Sequence, residues 1–574
     1  MRYISRQNTM FILYLLLGNL IIQLIAKAKA AQQMPKNILL IMSDDMPARV
    51  SPPYMDVKNP IYNLNLVNAR YKQFIDTSTA FYGITQVSVC APTRASLLLG
   101  RSPTKTRLGT FEILWPQAAP NIQSIFGYFK NRGYYAFITG KIFHTDSSFQ
   151  NTQLEFNMGQ LSVPHACTDS GNSGCAGYMW CEKPAEQLAD NCPVNSCINT
   201  LNQMAKNKTQ RFIIGCGIHR DHLTWEDTGN YLSKITGDIV DHTTPIIPGA
   251  NDFHHSLAYR ADYGNAKYKV KVGTKYQRII QKPRKLPGDI FQAKYAGTER
   301  DIHRHHYAMT LTAFDNIGKI LTAVDNAGLA NTTDIIFLAD HGFQLGERGL
   351  LGKNSLYPEA TDVPFIIHQA GQEKAYFNKY PVNTMSLYAT LIELQFGKDA
   401  VTNFNDGSGL SLDSKSLVPA LTDENVQTDD LVITQYPRCN RLDSIQKDDC
   451  MNGVSTNASC KNVRPIILFM GYSVVSNTYR ITEWLPYNDV RTSCNKPTWP
   501  NMPTTLQGIG EPWWQIDKKL SGPNLTAPGI QPEVYAIRNG KIVSDNLANN
   551  PTPEIKDLMQ KTSIKLRQKL KSYM

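Results

Sequence analysis

The chain carries several short apolar runs, each ended by charged residues, and longer stretches where apolar positions recur every three or four residues. Asn37 to Ser43 (Asn-Ile-Leu-Leu-Ile-Met-Ser) is the first run, and it ends in Asp44-Asp45. An unbroken apolar run of that length predicts a strand covered on both faces, as in a parallel sheet. Tyr134 to Thr139, Phe212 to Gly215 and Asp334 to Ala339 repeat the design. They lead into Gly140-Lys141-Ile-Phe-His144, Ile218-His219-Arg220-Asp221-His222 and Asp340-His341-Gly342. Between them, Ile122, Ile125, Phe126 and Phe129 keep helical spacing up to Gly133, and Leu311, Phe314, Ile317, Leu321 and Val324 keep it up to Gly328. Thr93 to Leu99, with Pro92 at the first turn and Gly100 just beyond, predicts a further helix.

This alternation predicts an α/β fold with a mainly parallel or mixed sheet between helices. From about residue 432 the pattern changes. Leu431 to Thr434, Ile466 to Met470, Tyr479 to Trp484 and Val534 to Arg538 read as β segments joined by Pro-, Asn- and Cys-rich loops. They predict a smaller domain with an antiparallel sheet, followed by a Lys-rich helix over Thr552 to Met574. The expected organisation is a larger domain over 31–431 and a smaller α+β domain over 432–574. No element is assigned within 223–300, which is rich in Gly, Pro and polar residues.

The first 30 residues are set apart. Arg2 and Arg6 precede the apolar segment Met10 to Ala26, and Ala-Lys-Ala-Lys-Ala follows at 26–30. Basic flank, apolar run and small residues describe a secretory signal peptide cut after Ala28 or Ala30, with an uncleaved anchor as the alternative. Cysteine usage agrees with export. Of 11 cysteines, five (Cys167, Cys175, Cys181, Cys192, Cys197) crowd one loop-like region, and Cys439, Cys450 and Cys460 another. Such clusters predict disulfides, with Cys439–Cys450 suggested by proximity. Acceptor sequons stand at Asn207, Asn331, Asn457 and Asn524. At 42% hydrophobic and 19% charged residues, the composition is that of a globular protein. The formal charge of +11 comes without a long Lys/Arg run or zinc-finger spacing. Nucleic acid is therefore not an expected partner, nor is stable membrane insertion, and a polyanionic substrate fits the charge.

The strand ends concentrate the chemistry. In open α/β sheets ligands gather beyond the carboxyl ends of the strands. Asp44, Asp45, Asp340 and His341 there offer three carboxylates and an imidazole to one cation, and carboxylate oxygens favour a hard ion such as Ca²⁺ or Mg²⁺. Cys90, in Cys90-Ala-Pro-Thr-Arg94, falls where a loop enters a helix, near free backbone N–H groups that favour anions. Arg94 adds a fixed charge one turn later. So short a motif also fits an ordinary buried cysteine at a helix start. Lys141, His144, His219 and Lys353 add cations and proton carriers. The combination suits an anionic oxyester, with charge neutralised on the transferring group and a proton delivered to the leaving oxygen.

In this order the residues resemble the sulfatase family, within the alkaline-phosphatase-like superfamily, and in particular its iduronate-2-sulfatase branch. The likeness rests on Val89-Cys-Ala-Pro-Thr-Arg94 with Leu98, Gly100 and Arg101, on Gly140-Lys-Ile-Phe-His144, Ala339-Asp-His-Gly-Phe343 and Leu345-Gly-Glu-Arg-Gly349, and on Thr434-Gln-Tyr-Pro-Arg438 and Met470-Gly-Tyr-Ser473. It spans about 35 to 545. The resemblance implies a sulfuric ester hydrolase that removes 2-O-sulfate from iduronate in heparan or dermatan sulfate. It implies that Cys90 is converted during export to formylglycine by the formylglycine-generating enzyme. It also implies one Ca²⁺ held by Asp44, Asp45, Asp340, His341 and modified Cys90. Arg94 would hold the aldehyde hydrate, and Lys141, His219 and Lys353 would grip the sulfate. His219 or Lys353 would assist the leaving alcohol, and His144 would take the proton that expels sulfate. The implied location is the lysosome, or the extracellular space as the alternative.

Some positions depart from the family pattern. Thr93 stands for the more usual Ser, Leu99 for a common Thr, and Phe343 for a Trp beside the metal motif, where it is expected to face substrate. Leu99 bears on how well the modifying enzyme accepts the site. By this reading His222, beside His219, supports the site residues or contacts substrate. His303, His305 and His306 lack matching carboxylates and are expected on a solvated helix face. The rival readings are another sulfatase, a phosphate- or phosphonate-ester hydrolase of the superfamily, and a glycan-binding relative without turnover.

Overall fold

The computed structural model describes residues 36–55, 65–106, 121–144, 180–182, 184, 187–223, 225–235, 269–272, 275–278, 296–345, 351–439, 467–488, 522–538 and 540–574. The leader segment 1–30, Cys450 and the sequon at Asn457 lie outside them.

The first apolar run is strand β1 (Asn37–Ser43), every residue of it buried. Its side chains alternate between two cores. Leu39 and Ile41 pack with Phe314, Ile317 and Leu321, whereas Ile38, Leu40 and Met42 pack with Leu97, Leu98 and Leu391. Each such burial contributes about 1.5–3 kcal/mol. That is why the run is continuous rather than alternating. The other strands of this sheet are β2 (Thr79–Ile84), β3 (Tyr135–Gly140), β4 (Phe212–Gly217), β5 (Thr333–Ala339), β6 (Asp362–His368) and β7 (Tyr376–Asn383). Among the described residues the sheet runs β7-β2-β6-β5-β1-β4-β3. All neighbours are parallel except β6, which is antiparallel to both β2 and β5. The sheet is mixed, as the sequence pattern predicts.

Helices cover both faces. The signature run forms helix α1 (Cys90–Leu99), with Pro92 in its first turn. Gly100 ends it in the left-handed region at φ +64°, where a Cβ would meet Leu412 and Tyr388 at 2.7 and 2.8 Å. Arg101 then pins the end: its Nη1 donates to the Leu99 carbonyl at 2.7 Å and its Nη2 pairs with Asp406 at 2.9 Å. Helix α2 (Asn191–Met204) carries Cys192 and Cys197, so these two leave the loop expected of them. Cys197 is bridged to Cys216 on β4. Together with α2, the long helix α3 (Ala296–Asn326) covers the face opposite α1.

The second sheet is antiparallel throughout, ordered β8 (Val432–Cys439), β9 (Ile467–Val475), β10 (Tyr479–Asn488), β11 (Ile530–Arg538) and β12 (Lys541–Ile542). It is tied to the first by Arg480, which donates to the Leu356 carbonyl at 2.8 Å and to Thr361 Oγ1 at 2.9 Å and pairs with Asp362. The C-terminal helix α4 (Pro553–Tyr573) starts on a Thr552 cap. Its Leu566, Leu570 and Tyr573 join the same core as Leu97, Leu98 and Leu99.

Two expectations fail. His303, His305 and His306 are buried, not solvated. His305 stacks on Trp180 at 4.3 Å, and His306 meets Trp225 and Phe343. The cause is the strand Trp225–Asp227 and its neighbours, which cover this part of α3. Phe343 is likewise 1% exposed and spent on that aromatic packing, so it does not face substrate.

Burial, then Arg304, holds the His305 imidazole down to about 3 from its ordinary 6.5. The unfolded chain therefore takes up a proton as pH falls below about 6.5, while the folded chain does not until about 3. Stability contributed by the neutral ring is present above that window and lost on descending through it. Relative to His305→Phe, the parent should lose about 2 kcal/mol between about pH 7 and about pH 5 in urea unfolding. Identical pH dependence in both proteins would refute the assignment.

Candidate active site

Beta-strand register builds the site. β1 and β5 are parallel neighbours with Ser43 opposite Ala339, so Asp44-Asp45 and Asp340-His341 leave the sheet side by side. Asp45 turns into the left-handed region at φ 59°, which Asp tolerates better than most side chains. Asp340 Oδ1 accepts the backbone N–H groups of His341 at 2.8 Å and Asp45 at 3.2 Å, locking the two turns together. Candidate ligand atoms of Asp44, Cys90, Asp340 and His341 lie within 4.8 Å of one another, and so do those of Asp44, Asp45, Cys90 and His222. The two groups share Asp44 and Cys90 and together hold three carboxylates, an oxygen-rich donor set that fits a hard divalent cation.

Cys90, at the start of α1 and fully buried, stands in the middle. Its Sγ lies 3.0 Å from Lys353 Nζ, 3.1 Å from His341 Nε2, 3.6 Å from Asp44 Oδ1 and 3.8 Å from Lys141 Nζ. Burial pushes the thiol up. Lys141, Lys353, His341 and a hydrogen bond with His144 outweigh it and hold the group well below the usual thiol range. The environment thus favours negative charge at position 90, which is what a nucleophile or a transferring anion needs.

The cations are held by the acids. Arg94, fully buried one turn into α1, donates from Nε to Asp340 Oδ2 at 2.8 Å, and its Nη1 reaches the carbonyls of Lys141 and Ile142. Lys141 pairs with Asp44, and Lys353 with Asp45 at 2.7 Å. Burial and the Cys90 sulfur raise Asp44, but Lys141, His222 and Arg94 carry it well below the carboxylate range. Asp340 is instead pushed up to about 6, chiefly by burial, against the pull of Arg94 and His341. Burial depresses His144 and, more strongly, His219, where His222 and Lys141 add to it.

All the candidate residues read from the sequence fall within this strand-end region. His144 bonds to Cys90, and His219 stands beside His222 with ring centroids 4.8 Å apart. The sequence reading left His222 outside the main set, whereas the fold brings its ring into the cluster. Its Nδ1 sits 2.5 Å from the Leu223 carbonyl, so that nitrogen carries the proton and Nε2 keeps the lone pair in the neutral ring. Only the three-residue spacing from His219 could have hinted at this.

A mixed sheet flanked by helices, with acids, bases and a helix-start cysteine at its strand ends, is the alkaline-phosphatase-like fold. Residues 36–397 match the sulfatase family model, and the chain belongs to that family. Human iduronate 2-sulfatase is 25% identical over 515 residues, covering 79% of this chain and 85% of that protein. Among solved structures, the phosphonate monoester hydrolase of Silicibacter pomeroyi superposes with a TM-score of 0.58 at 14% identity over 93% of this chain and 95% of that one. A 2-O glycosaminoglycan sulfatase superposes at 0.51 with 15% identity, covering 94% and 92%.

The close approach of β3 and β4 sets where Lys141 stands. A Cβ on Gly217 would lie 2.3–2.5 Å from Lys141 backbone atoms, so any larger residue must displace that backbone. Gly217→Ala should cut kcat/KM for a sulfate ester by on the order of a hundredfold while leaving the chain folded. Parent-level kcat/KM would show that Lys141 does not depend on this contact.

Proposed function

We propose that the chain is a calcium-dependent sulfatase that uses formylglycine made from Cys90. Its proposed substrate is the 2-O-sulfate of iduronate at non-reducing ends of heparan or dermatan sulfate. The observation that carries the reading is the Cys90 side chain held at a helix start among Lys141, Lys353, His144 and His341, beside three buried carboxylates. The relationship to iduronate 2-sulfatase, across most of both chains, supports the substrate.

The donor set of Asp44, Asp45, Asp340 and His341, with residue 90, would hold the calcium ion. Bound calcium neutralises charge on the sulfate and the hydrated aldehyde supplies the attacking and the spare hydroxyl. The rest follows from the chain's own side chains. Arg94 fixes the geometry of Asp340 and the start of the Lys141 loop, and offsets negative charge at position 90. Lys141, Lys353 and His219 bind sulfate oxygens. His219, beside His222, or Lys353 protonates the leaving sugar oxygen. His144, within hydrogen-bond reach of position 90, accepts the proton from the spare hydroxyl and so drives release of sulfate.

The same reading assigns the chain to the secretory route and then to the lysosome, or to the extracellular space. Conversion of Cys90 by the formylglycine-generating enzyme takes place on that route. Among the described residues no helix is long and apolar enough to cross a membrane. The acceptor side chains Asn207 and Asn331 are exposed, which suits glycosylation. A phosphate- or phosphonate-ester hydrolase is the second reading, supported by the superposition on a phosphonate monoester hydrolase.

Mass spectrometry of the peptide containing residue 90, from exported protein, should show aldehyde in place of thiol. The same protein should desulfate an iduronate-2-sulfate disaccharide faster than it hydrolyses a phosphate or phosphonate monoester, and Asp340→Asn should lose both bound calcium and turnover. An intact thiol, or preference for the phosphorus ester, would sink the proposal.

A further inference from the structure

Asp190 is the residue before α2 and occupies its N-cap position, yet its side chain caps nothing in that helix. An aspartate at an N-cap ordinarily accepts N–H groups of the first turn. Here the buried carboxylate turns away, to the loop that follows β4. Its Oδ1 accepts the backbone N–H of His219 at 2.5 Å, and its Oδ2 that of Arg220 at 3.3 Å, with Asn316 Nδ2 from α3 at 3.5 Å. The other side of this loop is stitched to the Asp44 turn. Asp221 N–H donates to the Asp44 carbonyl at 2.6 Å, and Asp44 N–H to the Arg220 carbonyl at 3.3 Å. Further back, the Cys197–Cys216 bridge ties α2 to the strand that delivers the loop.

We infer that Asp190 is the positioning residue of His219: it gives up the helix cap to fix the backbone from which that imidazole reaches the substrate. The inference rests on the reading that His219 protonates the leaving oxygen. With both N–H groups of residues 219 and 220 held by one carboxylate, the backbone cannot rotate to turn the ring away from the cluster. Motif and spacing give no sign of it, because Asp190 lies outside every strand-end cluster.

A leaving group separates positioning from general structural support. A sugar alcohol is a poor leaving group and needs its proton, whereas a nitrophenolate leaves with little help. Asp190→Asn keeps the shape but puts an amide N–H against a backbone N–H. It should lower kcat for an iduronate-2-sulfate disaccharide by about tenfold or more, with KM little changed, and for 4-nitrophenyl sulfate by less than about threefold. In a His219→Ala background the same substitution should add almost nothing. Equal loss on both substrates, or full additivity with His219→Ala, overturns the inference. Should Asp190→Asn fail to fold, Asn316→Ala takes its place, with selective loss expected and equal or no loss overturning. If His219→Ala itself spares the sugar sulfate, the role of His219 and this inference fall together. If His219→Ala is selective and Asp190→Asn is not, only this inference falls.

Discussion

Mutual neutralisation of buried charge is the constraint on which the rest of the structure depends. Asp44, Asp45 and Asp340 are almost wholly removed from water, and so is Arg94; Lys141 and Lys353 are nearly so. Each ion costs several kcal/mol to bury alone, and breaking one such pair costs about 3–5 kcal/mol. Three acids against three bases sum to zero. A divalent cation among the acids would add two positive charges, which an anionic ester group can meet. The residues that balance the fold are therefore also those that favour a sulfate.

The sheet makes this balance geometrically possible. Parallel pairing of β1 with β5 and with β4, and of β4 with β3, brings four strand ends to one edge. The ends divide the chemistry: acids from β1 and β5, a lysine and a histidine after β3, histidines after β4. The lone antiparallel strand, β6, lies on the far side of β5 and leaves that edge undisturbed. Helix α1 then presents Cys90 to the cluster, its far end fixed by Gly100 and Arg101. The sulfatase signature is thus a mechanical unit as well as a chemical one.

Much of this was legible because burial on both faces imposes a visible pattern. The apolar run before Asp44 and its counterpart before Asp340 announce buried strands and the acids at their ends. The antiparallel sheet after residue 432 and the Lys-rich final helix were readable for similar reasons. What was hidden depends on contacts distant in sequence. His306 shares the helical stripe of Ile302, Met309 and Ala313, so its burial had a signal, but the covering strand at Trp225 had none. Phe343 and the Cys197–Cys216 bridge were decided by packing partners that no local pattern names. A single turn joins His219 and His222, and only three-dimensional placement shows that the His222 ring enters the cluster beside His219.

The docking of α4 couples parts of the chain that are far apart in sequence. Leu566, Leu570 and Tyr573 complete the same core as Leu97, Leu98 and Leu99 of the signature helix. The first turn of that helix carries Cys90. A loosened α4 would therefore reach the strand-end cluster through α1, without touching any residue of the cluster itself.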